Sequence, residues 1–147
     1  MTIETKRLLL CPLSARQMRL WLSDLPALER EWDCHYEGEP VEGTFREIVQ
    51  QQWKITSMDE RNYLFHSFWL LLRKADRTVV GAADFKAPPN ARGEVEIGYG
   101  LGGAHERRGY MTEAVDALCD WALQREDVER VLAATERKNR PSQNVPR

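Results

Sequence analysis

The chain has 147 residues, the length of one ordinary domain, and it is long enough to bury a sizeable core. Its 21 basic and 23 acidic residues nearly cancel, which argues against a general nucleic-acid or membrane-surface binder, so we expect any anion-binding site to be local. The first apolar run, residues 8–11, is too short for a signal peptide or a membrane span, and we expect a cytoplasmic protein with no nucleic-acid or membrane partner.

The first part of the chain predicts a strand and then a helix. Residues 7–13 predict a strand that Pro12 closes. Ser14 and Gln17 have the spacing of a capping box and predict a helix start, and Pro26 follows soon after this helix. The side chains that this helix is expected to bury are Met18, Trp21, Leu22 and Leu25.

A second helix is predicted after a polar segment. Residues 29–43 are polar and acidic and predict irregular structure. Thr44 and Glu47 then repeat the capping-box spacing. An apolar stripe at helical spacing accompanies them, formed by Phe45, Ile48, Val49 and Trp53. We therefore expect a helix that begins beside Thr44.

The second part of the chain predicts three more strands and a helix. Apolar runs at residues 65–72 and 78–85 flank a polar turn and predict a hairpin. Residues 93–101 predict a third long strand, antiparallel to its predecessor. A helical pattern begins at Met111, and residues 130–134 predict a last strand. Because a helix crosses over between them, the last strand should lie parallel to the third.

The segment between the third long strand and the last helix contains Arg107, Arg108 and Gly109. A loop that leads from a strand into a helix start collects backbone N–H donors at the positive end of the helix dipole. Gly109 has no Cβ to block a ligand, and the two arginines add positive charge. The segment therefore predicts a phosphate-binding site.

Two other interpretations of the same segment remain open. Gly98, Gly100 and Gly103 satisfy the pattern G-x-G-x-x-G of dinucleotide-binding folds, although the strand follows a meander and the helix begins only near Gly109. The glycines could instead serve a bulge and a loop that bind no ligand.

The segment and its flanks resemble the acetyl-CoA motif of the GNAT N-acetyltransferases. The residues that carry this resemblance are Glu96-Ile97-Gly98-Tyr99, Arg107-Arg108-Gly109-Tyr110-Met111-Thr112-Glu113-Ala114, Leu118 and Trp121-Ala122. Residues 3–10, 129–131 and 139–142 resemble further parts of the branch that contains the ribosomal-protein alanine N-acetyltransferases. The resemblance covers nearly the whole chain. It implies an α+β fold with a mixed, mostly antiparallel central sheet flanked by helices.

The resemblance also implies a cosubstrate, acetyl-CoA, and the residues that bind it. The backbone of the third long strand would hold the pantetheine arm, and the loop after it would cradle the pyrophosphate with N–H groups. The cofactor-binding residues implied in this way are Ile97, Tyr99, Leu101, Arg107, Arg108, Gly109, Tyr110, Met111, Asn139 and Ser142.

The family reaction is direct transfer of an acetyl group to a primary amine, which belongs to a protein N-terminus or to a small molecule. Glu96 is the predicted base; Glu94 shares its face of the strand, and Tyr99 points to the opposite face and is expected in the core. The loops at residues 29–43 and 88–92 are expected to line the acceptor groove. No metal site is predicted, because neither the histidines nor the cysteines have ligand spacing.

The sequence departs from the family pattern at two places. The family loop usually carries Gln or Arg at the position of Ala104 and Gly at the position of Arg107. The chain also stops at Arg147, where members add a helix and two further strands, so we expect one truncated domain over residues 1–147 that lacks the last strands. The alternative function is then a non-catalytic remnant or interaction module that binds CoA weakly or not at all. We expect the apolar sheet edge at residues 130–134 to be covered by a homodimer or a swapped segment, or else to make the protein marginal and aggregation-prone, with weak acetyl transfer in either case.

Overall fold

The computed structural model describes residues 1–133, apart from the side chains of Leu101 and Ala133. Within this range seven strands form one mixed sheet in the spatial order β1-β2-β4-β5-β6-β7, with β3 beside β5. The strands are β1 (Ile3–Glu4), β2 (Leu8–Pro12), β3 (His35–Tyr36), β4 (Phe68–Arg73), β5 (Thr78–Phe85), β6 (Glu94–Leu101) and β7 (Arg130–Ala133). The pairs β3–β5 and β6–β7 are parallel and the others are antiparallel, so the predicted mixed, mostly antiparallel sheet is confirmed.

Helices cover both faces of this sheet. They are α1 (Ala15–Ser23), α2 (Leu25–Trp32), α3 (Gly43–Met58), α4 (Tyr63–His66) and α5 (Tyr110–Leu123). One apolar cluster lies between the sheet and α5, and a second lies between the opposite face and α1, α2 and α3. No described helix is both long enough and apolar enough to cross a membrane.

The first predicted capping box is confirmed and the second is wrong. Ser14 Oγ accepts a hydrogen bond from the Gln17 backbone N–H at 3.1 Å, and Gln17 Oε1 accepts one from the Ser14 N–H at 3.0 Å. At α3 the capping position is Glu42, and in the described part of the chain no side chain caps the helix. Gly43, with φ +57°, turns the chain into α3 one residue before Thr44, so Thr44 already lies inside the first turn.

The irregular structure predicted for residues 29–43 is wrong at two places, since residues 29–32 belong to α2 and His35–Tyr36 form β3. The helix α2 runs from Leu25 to Trp32, and Pro26 lies in its first turn, where a missing N–H costs no hydrogen bond. The Asp24 side chain caps this helix by accepting from the Ala27 N–H at 3.3 Å. Pro26 therefore begins a helix, whereas its place in the sequence predicts an end.

The hairpin β4–β5 is confirmed, but it starts later than predicted and contains a bulge. Residues 65–66 belong to α4, and β4 begins at Phe68. The register shifts where Leu71 pairs with Gly81 and Leu72 pairs with Val79, which leaves one extra residue on β5. The predicted parallel pairing of the last strand is also confirmed, from Glu94↔Arg130 to Ile97↔Ala133. The predictions for Asn139, for Ser142 and for the elements after β7 lie outside the described residues.

Candidate active site

The strand β6 directs two sets of side chains to opposite faces of the sheet. Val95, Ile97 and Tyr99 are buried in the cluster under α5, so the prediction that Tyr99 belongs to the core is confirmed. Glu96 lies on the other face and is exposed. Since the side chains of Ile97 and Tyr99 fill the core, only their backbone atoms remain for the cofactor role that the resemblance implies.

The chain leaves β6 through a tight turn that ends at the N-terminus of α5. A short 3-10 turn covers Gly103–His105, and two left-handed residues follow, Arg107 at φ +68° and Gly109 at φ +78°. Gly109 occupies the N-terminal capping position of α5, and no side chain among residues 1–133 caps this helix. The N–H groups of Tyr110, Met111 and Thr112 therefore have no acceptor within the helix, and the positive end of its dipole is open.

The turn contains two basic residues, Arg107 and Arg108, and one of them has an unusual backbone conformation. The side chains of Arg107 and Arg108 are both exposed. The Arg107 backbone is left-handed, a conformation that favours glycine, and the family loop usually has glycine at this position. The turn thus adopts the backbone conformation of a glycine loop although an arginine stands there. Tyr110 and Met111 are buried beneath it and can offer only backbone groups.

A polar clamp joins this helix start to the corner between β1 and β2. The Glu113 carboxylate accepts hydrogen bonds from Thr5 Oγ1 at 2.6 Å, from the Arg7 backbone N–H at 2.7 Å and from Arg7 Nε at 2.7 Å. Burial alone would raise the pKa of Glu113, but the hydrogen bonds from Thr5 and Arg7 and the charge of Arg7 bring this pKa below its usual value. Glu113 is therefore ionised at neutral pH and holds the corner against α5.

Tyr110 is held by two arginines, Arg7 and Arg73. The Arg7 guanidinium stacks over the ring with its carbon 4.4 Å from the ring centroid. Arg73 Nη1 donates to the Tyr110 hydroxyl at 3.0 Å, and Arg73 also forms a two-bonded pair with Asp76. The Arg73 hydrogen bond lowers the pKa of Asp76 to about 2. The first residue of α5 is thus fixed from the β2 side and from the β4 side.

The segment after α2 packs directly against the start of the turn. A Cβ added to Gly102 would overlap the carbonyl oxygen of Glu37, so only glycine fits at this crossing. His105 is 5% exposed, and its Nε2 lies 2.7 Å from Glu37 Oε1. Glu37 Oε2 also lies 3.2 Å from His35 Nε2. The segment that was expected to line the acceptor groove therefore contacts the turn that enters α5.

The arrangement does not match the dinucleotide pattern. Gly98 and Gly100 lie inside β6, and Gly103 opens a 3-10 turn that ends well before α5. A dinucleotide site needs its glycines in one turn between a strand and a helix N-terminus. In residues 1–133, no cluster of three or more His, Cys, Asp or Glu side chains could hold a metal ion.

Sequence reasoning missed the residues that brace the turn from outside it. Arg73 donates to Tyr110 across 37 positions of sequence, and Glu37 contacts His105 across 68. Arg7 lies over the Tyr110 ring across 103 positions. Thr5, Arg7 and Glu113 all lie in segments that carry the family resemblance, which is the signal that the sequence offers. No periodicity or spacing in the sequence indicates that these three residues contact one another.

Comparison with known proteins identifies the family. The sequence model of the acetyltransferase (GNAT) domain matches residues 7–147. The uncharacterized N-acetyltransferase YjdG of Bacillus subtilis is 30% identical, over 90% of this chain and 84% of that protein. A GNAT-family acetyltransferase structure from Bordetella pertussis, 25% identical, has a TM-score of 0.65 over 99% of this chain and 84% of its own. RimL, a ribosomal α-N-protein acetyltransferase solved in complex with coenzyme A, has the same fold, with a TM-score of 0.67 at 18% identity over 99% of this chain and 80% of its own. The chain belongs to the GNAT family of acetyltransferases.

Proposed function

We propose that the chain binds acetyl-CoA along the second half of β6 and across the turn into α5, and transfers the acetyl group to a primary amine. The observation that carries the proposal is the uncapped N-terminus of α5. Its open N–H groups follow a glycine with φ +78° and stand beside two exposed arginines, Arg107 and Arg108. Backbone donors, a helix dipole and local cations are what a diphosphate needs.

The residues at this turn fit a diphosphate in two respects. Gly109 itself places no side chain over the N–H groups, and the Arg7 guanidinium lies beside the point that its Cβ would occupy. The turn is braced by Glu113, Arg73 and Glu37, so its donors are held in place before a ligand binds. A preorganised site loses little conformational entropy on binding.

The proposed chemistry is direct transfer. The neutral amine attacks the thioester carbonyl, the carbon–nitrogen bond forms and the carbon–sulfur bond breaks. The amine proton passes to a carboxylate, and CoA leaves as its thiolate. Glu96 is the proposed base, because it is exposed on β6, the strand that would flank the thioester.

The proposed acceptor is a primary amine on a protein N-terminus or a small molecule. RimL, a ribosomal α-N-protein acetyltransferase with the same fold, supports the first class. The segment that would line the acceptor groove includes Glu37 and residues up to Gly43, and Glu37 already contacts the turn through His105.

Titration with CoA and two glycine variants tests the cofactor part of this proposal. Gly109→Glu places a carboxylate where the diphosphate would bind, so CoA affinity should fall by at least about 100-fold. Gly43→Glu is the matched control: Gly43 also has positive φ, at +57°, and open space around it, and it lies at the start of α3. Both variants carry the backbone cost of a side chain at positive φ, but only Gly109→Glu should lose CoA.

Calorimetric titration supplies the dissociation constants. Equal affinity for CoA in wild type and Gly109→Glu, or no binding by the wild type, would refute the proposed cofactor site. Binding of NAD in place of CoA would move the assignment to a dinucleotide.

A further inference from the structure

The Arg7 guanidinium is fixed on three sides at the N-terminus of α5. Its Nε donates to Glu113 Oε1 at 2.7 Å, and its Nη1 donates to the Arg108 carbonyl at 3.0 Å. Its central carbon lies over the Tyr110 ring, 4.4 Å from the ring centroid. The third nitrogen, Nη2, has no hydrogen-bond partner among residues 1–133 and lies 3.3 Å from the point that a Cβ on Gly109 would occupy. This nitrogen therefore faces the residue over which a ligand would approach.

This arrangement differs from that of the other cations at the turn. The exposed side chains of Arg107 and Arg108 would lose conformational freedom on gripping a ligand. Arg7 has already lost that freedom to the clamp with Glu113 and to the contact with Tyr110. The N–H groups of Arg7 Nη2 are therefore held at a fixed position near the N-terminus of α5. Donors that are fixed in this way before binding suit a phosphate group.

We propose that Arg7 binds the diphosphate of the cofactor directly, with Nη2 donating to a non-bridging phosphate oxygen above Gly109. The proposal rests on the proposed function and adds to it a phosphate-binding residue, Arg7, that lies about 100 positions before the turn into α5. The other nitrogens of Arg7 keep their bonds to Glu113 and Arg108, so the same side chain binds the ligand and anchors the β1–β2 corner.

The test measures CoA and dephospho-CoA affinity for four variants. Arg7→Gln should weaken both ligands by about tenfold or more, because a charge-assisted hydrogen bond to phosphate is lost. Arg7→Lys retains a cation beside Glu113 and guards against loss of folding; it should weaken both ligands several-fold, since an ammonium cannot bond Glu113, Arg108 and phosphate together. Arg16→Gln is the control for removing a paired arginine away from the turn, since Arg16 of α1 pairs with Glu31 of α2 at 2.6 Å, and its affinity should equal that of the wild type. Thr5→Val weakens the clamp but keeps the guanidinium, and it should cost much less affinity than Arg7→Gln.

Each contrary result would refute a different part of the proposal. Wild-type affinity in both Arg7 variants refutes the contact while the proposed function stands. An equal loss in Thr5→Val and Arg7→Gln shows that Arg7 acts only through the clamp. A loss with CoA but not with dephospho-CoA places the contact on the 3′-phosphate and contradicts the diphosphate assignment. A wild-type chain that binds neither ligand refutes the proposed function and this inference together.

Discussion

Gly102 and Gly109 show how single residues shape the turn. Gly109 supplies a backbone conformation, φ +78°, at the start of α5. Gly102 instead supplies space, because the chain after α2 crosses it at the carbonyl of Glu37. A side chain would therefore have a different effect at each position. At Gly109 it would lie against Arg7 Nη2 and obstruct the proposed ligand site, and at Gly102 it would collide with the Glu37 backbone.

Alanine at Gly102 tests this crossing. Because the added Cβ would overlap the Glu37 carbonyl oxygen, Gly102→Ala should destabilise the fold by about 1–3 kcal/mol, the usual cost of overpacking. Gly103→Ala is the control next to it, where a Cβ meets nothing within 4 Å, and should change stability by no more than about 0.5 kcal/mol. Urea unfolding of both variants gives the comparison. Equal midpoints would show that the segment near Glu37 does not pack against the turn as described.

At the scale of elements, the clamp of Thr5, Arg7 and Glu113 joins the β1–β2 corner to α5. The Glu113 side chain is 18% exposed, and its carboxylate accepts three hydrogen bonds. Removing its charge leaves Thr5 and the Arg7 N–H with a weaker acceptor. Through Arg7, the clamp also reaches the Arg108 carbonyl in the turn.

Glu113→Gln tests the clamp through its pH dependence. The variant should be less stable than the wild type at neutral pH by about 1–2 kcal/mol, since hydrogen bonds to a charged group are lost. A lowered folded-state pKa gives stability that is present above the ordinary value of 4.5 and is lost as the pH falls through the folded-state pKa. The stability gap between variant and wild type should therefore close in acid.

Thermal unfolding from neutral to acidic pH measures this gap. Glu31→Gln is the control, because its Arg16 partner is 66% exposed and solvent screens the pair, so its effect should be smaller. A gap for Glu113→Gln that stays constant down to low pH would show that the carboxylate charge is not what stabilises the clamp.

Local sequence signals predicted a helix or strand correctly where the neighbouring residues favoured a single structure. The Ser14 capping box and the strand–turn–helix from β6 to α5 follow from neighbouring residues. Pro26 was misread because proline both ends helices and suits their first turn, and the sequence alone does not choose between the two. The clamp could not be predicted, since Thr5 and Glu113 lie 108 positions apart and only the folded sheet brings them together.

At the scale of the whole molecule, three separated regions converge on the start of α5. The β1–β2 corner contributes Arg7, β4 contributes Arg73, and the segment after α2 contributes Glu37. The sheet is covered by α5 on one face and by α1, α2 and α3 on the other, and Glu96 is exposed on the face opposite the α5 core. The proposed base and the proposed cofactor site therefore share β6, with Glu96 directly before the backbone segment that would hold the cofactor.

The most direct test of the account is an acetyl-transfer assay that measures thiol release from acetyl-CoA with a panel of N-terminal peptides and small primary amines. The account predicts amine-dependent thiol release, matched by acetylated amine in mass spectrometry.

Glu96→Gln should lower kcat by about 100-fold or more while CoA affinity is kept. Glu94→Gln is the control on the same face, where Glu94 is bonded to Asn90 and Arg130, and it should retain wild-type turnover. CoA binding without amine-dependent thiol release would contradict the account and favour a non-catalytic CoA-binding protein, and full activity in Glu96→Gln would assign the base to another residue.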